Sequence, residues 1–120
     1  MQRLVIMFIL LCTLTVSAQR KQAWPAKFEG AEKVVYKVVG DVKLHMHIFR
    51  PVKQKANTPA IVFFFGGGWK GGTPKQFEQQ CRYLASRGMM AMTAEYRIRN
   101  LHDTLAKYCV EDGKLSLIHI

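Results

Sequence analysis

Six residues, Ala60 to Phe65, are apolar without alternation and run directly into Gly66-Gly67-Gly68-Trp69-Lys70-Gly71-Gly72. An alternating strand has one wet face. A strand that does not alternate is covered on both, as inside a parallel sheet. Parallel strands need a crossover between them, and the following residues supply one. Thr73-Pro74 offers an N-cap hydroxyl and then proline at the first helical position. Phe77, Cys81, Leu84 and Ala85 recur at helical spacing as one apolar stripe, and Arg87-Gly88 closes that helix. Met89 to Tyr96 reads as a second buried strand. A second helix is expected near Asp103-Thr104, with Leu105, Tyr108, Cys109 and Asp112 on its inner face.

Upstream of the glycines, Val34-Val35-Tyr36-Lys37-Val38-Val39 is strand-like by its β-branched content, and Gly40-Asp41 makes a turn. Val42 to Phe49 then alternates with period two. The prediction is an antiparallel hairpin with one buried face, His45 and His47 lying on the outward one. Pro51 to Pro59 is a loop, and residues 19–33, with Trp24-Pro25, form an extended entry segment. Hairpin, strand, helix, strand, helix is the opening of an α/β fold with helices on both faces of a parallel sheet. Two such strands and two helices cannot cover both faces of the apolar segments, so the architecture reads as truncated.

The two ends are read separately. Met1-Gln2-Arg3 is basic, Leu4 to Val16 is a 13-residue, mainly apolar run, and Val16-Ser17-Ala18 is small enough for a signal peptidase. Residues 1–18 are therefore expected to be a secretory signal cleaved near Ala18-Gln19, giving a secreted or periplasmic protein. The run is short for a retained membrane anchor, and none is expected. Residues 115–120, Leu-Ser-Leu-Ile-His-Ile, interrupt the second helix without a cap. They can be back-translated as CTG TCT CTT ATA CAC ATC, the transposon end used as a sequencing adapter, and are read as a non-native tail. On that reading the natural chain continues past Lys114, and residues 34–114 are the amino-terminal part of one domain.

The 120 residues carry a net charge of +10, and 17 basic against 8 acidic residues remain once Arg3 is removed with the signal. The lysines are scattered and not interleaved with aromatics, which argues against a nucleic-acid groove. Gly66, Gly68 and Gly71 satisfy G-x-G-x-x-G, with Glu95 further on. The helix starts too late to face a pyrophosphate, however, and Trp69 is bulky for the tight turn of a dinucleotide site. No Gly-Lys-Ser/Thr closes a phosphate-binding loop. Five glycines in seven positions exceed what a bare strand-to-helix connection uses. They suit a backbone that a reacting carbonyl must approach, where fixed N–H groups stabilise a developing oxyanion.

The run resembles the His-Gly-Gly-Gly-Trp oxyanion motif of α/β-hydrolase esterases and lipases. With "LHMHIFRP", "CRYLASRGMMAMTAEYR" and "CVEDGK", the chain from Val34 to Lys114 is similar to the exported feruloyl-esterase-like and acetylxylan-esterase-like branch. The resemblance implies an amino-terminal α/β-hydrolase unit and a serine hydrolase of carboxylic esters working through an acyl-enzyme. Its substrate would be small or polysaccharide-linked, with no cofactor or metal. It assigns the oxyanion donors to the amides of Gly67 and Gly68, with Gly66 and Trp69 supporting the loop. A peptidase of the same fold and a non-catalytic exported α/β module are the alternatives.

Phe65 stands where many such proteins carry histidine, which bears on the geometry of the loop. No Gly-x-Ser-x-Gly occurs, so the Ser, Asp or Glu, and His triad is expected beyond Lys114. His45 and His47 are expected on the surface, His102 at the cleft rim, and His119 in the tail. Ser86 lacks a nucleophile elbow, and Ser116 falls in the tail. Glu95 and Arg97 share a strand face and are expected to form a structural ion pair. Cys81 and Cys109 sit on two different helix stripes, which favours buried thiols over a bridge.

Overall fold

The computed structural model of the chain describes residues 24–118. The signal-peptide reading and His119 lie outside them. One four-stranded mixed sheet forms, with β1 (Glu32–Val39), β2 (Val42–Phe49), β3 (Ala60–Phe64) and β4 (Met90–Ala94) in the order β1-β2-β4-β3. The hairpin β1–β2 turns at Gly40-Asp41, and β2 pairs antiparallel with β4. As the two apolar segments predict, β3 and β4 pair in parallel, from Ala60 opposite Met90 to Phe64 opposite Ala94. The expected cover on both faces holds for β4 and not for β3, which is the edge strand of the described sheet and has no fully buried residue.

The crossover is built as its residues dictate. The Thr73 hydroxyl accepts the Lys75 N–H, Pro74 opens a 3-10 turn (Pro74–Phe77), and α1 (Glu78–Ser86) continues from it. Its stripe meets the sheet: Cys81 is buried with Phe49 and Ala91, and Phe77, Leu84 and Ala85 pack around them. The other face buries Tyr36, Leu44, Met46, Met92 and Ala94, with Leu115 against them. Each large side chain so buried contributes roughly 1.5–3 kcal/mol.

Three expectations change. The hairpin does not have one wet face throughout: β1 is largely exposed, whereas β2 is buried on both sides. The reason is topological, since β2 lies between β1 and β4. The second helix is divided into α2 (Arg99–His102) and α3 (Ala106–Ile118), because Asp103 takes a left-handed conformation at φ 43°. Leu105 and Tyr108 are exposed, while Cys109, Asp112 and Ser116 form the buried stripe. Finally, α3 runs through Leu115 without interruption to Ile118, and the Ser116 hydroxyl donates to the Gly113 carbonyl.

Cys81 and Cys109 belong to separate clusters and are free thiols, as their placement on two stripes predicts. Burial pushes the Cys81 thiol up to about 11 and raises Cys109 as well. Both are inert at neutral pH. Among the described residues no helix is long and apolar enough to cross a membrane.

Candidate active site

The glycine loop leaves the carboxyl end of β3, where α/β sheets bind ligands. Its conformation is set by backbone bonds. The Gly67 carbonyl accepts the N–H groups of Lys70 (3.1 Å) and Gly71 (3.3 Å), and the Gly66 N–H donates to Gln76 Oε1 at 2.7 Å. Two glycines are sterically obligatory. A Cβ on Gly67, at φ 142°, would fall on the Gly71 carbonyl oxygen, and one on Gly72, at φ 103°, on the Gly66 carbonyl oxygen. Gly68 and Trp69 follow in successive left-handed conformations. Among the described residues no protein group accepts a hydrogen bond from the N–H of Gly67 or Gly68, and both residues are exposed. Two neighbouring donors thus stand open at the strand end.

A second segment holds this loop from behind. Tyr96 stacks on Phe65 (ring centroids 4.1 Å, 11° between planes), donates its hydroxyl proton to the Phe65 carbonyl, and meets the edge of Trp69 at 5.8 Å. The N–H groups of Arg99 and Asn100 donate to the carbonyls of Trp69 and Lys70, each at 3.0 Å. Burial pushes the Tyr96 phenol up to about 12, so it stays a donor. Phe65 is 3% exposed, so in place of an imidazole the loop is ordered by an aromatic stack. Trp24 adds its edge to Phe65 at 6.4 Å.

The histidines and acids are not where the sequence reading puts them. His45 and His47 are buried, at 7% and 2% exposure, and both serve Glu95, which is 0% exposed. Glu95 Oε2 meets His45 Nδ1 at 2.7 Å and accepts the His45 backbone N–H at 3.0 Å, while Oε1 meets His47 Nε2 at 2.9 Å. Burial alone would raise the Glu95 carboxyl, but the bonds from His47 and His45 outweigh it and hold the group below its ordinary value. Arg97 does not pair with Glu95. Its guanidinium grips Asp112 of α3 at 2.8 and 2.9 Å, and its N–H donates to the same carboxylate. Lys37 of β1 reaches Asp112 from the other side at 2.5 Å. Against the desolvation that raises it, these bonds hold Asp112 below its ordinary value.

His102 lies at the end of α2, where Nδ1 accepts the Ile98 N–H at 2.9 Å and the ring meets the edge of Trp24 at 5.3 Å. Burial lowers its basicity. With His45, Trp24, Asp41 and Lys43 it lines a cavity of about 430 Å³. Among the described residues no group of histidine, cysteine and acidic side chains could hold a metal ion. The sequence reading missed Gln76, Tyr96 and the Glu95 cluster. His45 and His47 on one face of β2 and Glu95 just past the end of β4 were the available signal, legible only once β2 is known to neighbour β4.

A mixed sheet entered through a hairpin, helices on both faces, and a glycine loop at the end of the third strand define an α/β-hydrolase fold. The BD-FAE family model matches residues 46–120, and the chain belongs to that family, within the esterases and lipases of this superfamily. A thermophilic esterase of the planctomycete Thermogutta terrifontis, Est2 in its native form, is 44% identical with a TM-score of 0.75, over 81% of this chain and 35% of its own. Esterase 2 of the same organism phosphoramylated by tabun is 45% identical with the same TM-score, over 80% of this chain and 37% of that one. Neuroligin-like protein glit-1 of Caenorhabditis elegans is 34% identical over 83 residues, 62% of this chain and 11% of that protein. The chain thus spans little more than a third of the length of the esterases it resembles.

Proposed function

We propose that these residues supply the oxyanion-binding half of an exported carboxylic-ester hydrolase. The observation that carries the reading is the pair of unclaimed, preorganised N–H groups of Gly67 and Gly68 at the carboxyl end of β3. Gly66, tied to Gln76, and Trp69, packed on Tyr96, support them. In the mechanism, a serine outside these residues attacks the ester carbonyl with a histidine as base. The carbonyl oxygen gains negative charge, and the two amides meet it without reorganising. Each such donor lowers the barrier by about 3–4 kcal/mol. The acyl-enzyme then forms as the alcohol departs, protonated by the histidine, and water releases the acid. Esters on polysaccharide are one substrate class of this reading, and small esters are another. The esterase structures that the chain resembles, which include propionate- and butyrate-bound forms, support the ester class.

The test uses the whole protein that carries this segment. It is expected to hydrolyse p-nitrophenyl acetate with a burst equal to its paraoxon-titratable serine, and to begin at Gln19 when recovered from its host. The 120-residue chain alone is expected to give no turnover above a serine-free control. A whole protein with neither burst nor titratable serine refutes the reading.

A further inference from the structure

We infer that Glu95, clamped between His45 and His47, is a positioning residue for the oxyanion-binding loop and acts on it through Tyr96. This rests on the hydrolase reading above. Every polar group of Glu95 is fixed to the sheet. Its N–H donates to the His45 carbonyl at 2.9 Å, its carbonyl accepts the Tyr36 hydroxyl, and its two carboxylate oxygens are held by the two imidazoles and the His45 N–H. A side chain so immobilised fixes the course of the residue that follows it. That residue is Tyr96, whose ring and hydroxyl hold Phe65 at the loop's entrance and whose ring meets Trp69 at its crest.

The same segment continues under the loop. Arg97 is anchored to Asp112, Ile98 to His102, and Arg99 and Asn100 return bonds to Trp69 and Lys70. Residues 95–100 are therefore a brace with one side on the sheet and the other on the loop. Gly67 and Gly68 make no anchoring donor bond of their own, so the direction of their N–H groups depends on the turn that Lys70 and Gly71 close at the Gly67 carbonyl, on the Gly66–Gln76 tie and on this brace. An ionised carboxylate only accepts, so both imidazoles turn an N–H toward it. An amide in its place keeps the two His45 contacts on its oxygen but turns its NH2 to His47, whose ring must then change tautomer or lose the contact.

The chemistry of an oxyanion donor makes the consequence specific. A donor displaced by a fraction of an ångström loses its bond to the transition state and leaves ground-state binding nearly unchanged. In the whole protein, Glu95→Gln is expected to lower kcat about ten- to a hundredfold per paraoxon-titrated site, with KM unchanged. Counting only titrated sites removes any loss of folded protein from the result. Tyr96→Phe keeps the stack and deletes the bond to the Phe65 carbonyl. It is expected to lower kcat about two- to tenfold, the equivalent of one neutral hydrogen bond. If Glu95→Gln yields no folded protein, Tyr96→Phe decides. Wild-type kcat per titrated site in the folded variants overturns the inference alone. A wild-type protein with no titratable site overturns the hydrolase reading and this inference with it.

Discussion

At Gly67 the cost of a single methyl group is readable from the backbone. Its Cβ would lie 2.2 Å from the Gly71 carbonyl oxygen, so the turn must open for any other residue to fit. Gly67→Ala in the whole protein is expected to lower kcat by about 10²–10³, the loss of one oxyanion donor, with a smaller effect on KM; steady-state kinetics on p-nitrophenyl acetate checks it. Gly72→Ala, which meets the Gly66 carbonyl from the other side of the loop, is expected to act in the same direction. These glycines were legible in the sequence because glycine has few reasons to cluster after an apolar strand. His45, His47 and Glu95 were misplaced because period-two alternation gives the face a side chain takes and not what covers that face. With β2 internal, the polar side of the alternation became a second interior, and three polar groups had to satisfy one another there.

Among the elements, α3 depends most on one side chain. Asp112 joins it to β1 through Lys37 and to the segment after β4 through Arg97, and it is 0% exposed. Removing one partner of such a buried group costs about 3–5 kcal/mol, so Asp112→Ala is expected to lower thermal stability accordingly. The sign of the pH dependence follows from a folded-state carboxyl held below its ordinary value. Its stabilising contribution is complete above the ordinary carboxylate pKa of about 3.9 and disappears as the pH falls below that. Glu95 is shifted in the same direction and adds to the same acid limb. Thermal melts between neutral pH and pH 3 are expected to show this loss, with a shallower limb in Asp112→Asn. The sequence announced a helix here from Leu105, Tyr108, Cys109 and Asp112. It did not reveal that Asp103 ends a short helix in a left-handed conformation, that Leu105 lies before α3, or that the buried stripe is Cys109, Asp112 and Ser116 with Tyr108 outside it. Aspartate enters the left-handed region as a single residue, with no periodic signal around it.

On the scale of the whole molecule, β3 is the edge strand of the sheet among the described residues, and apolar surface gathers beside it. Phe64, Trp69, Val110 and Leu117 are all exposed and line a groove of about 260 Å³ with Tyr96 and Cys109 at its floor. Produced alone, the 120-residue chain is expected to bind a hydrophobic dye and to self-associate; light scattering and dye fluorescence against the whole protein measure both.

The strand order carries a further consequence, for the sequence of events in folding. β2 leaves the ribosome beside β1 and can close its hairpin at once, but its other neighbour, β4, is about forty residues away in the chain. His45 and His47 must wait for Glu95 to arrive, and β3 and the glycine loop emerge in between, before the strand that aligns them. Closing that span is an entropic cost borne before any of its contacts form. The hairpin is expected to form early and β4 to dock late, and pulsed hydrogen exchange during refolding checks the order by the protection of β1–β2 amides before those of β4. On that order the loop's amides take their final direction only once β4 and the segment after it are in place.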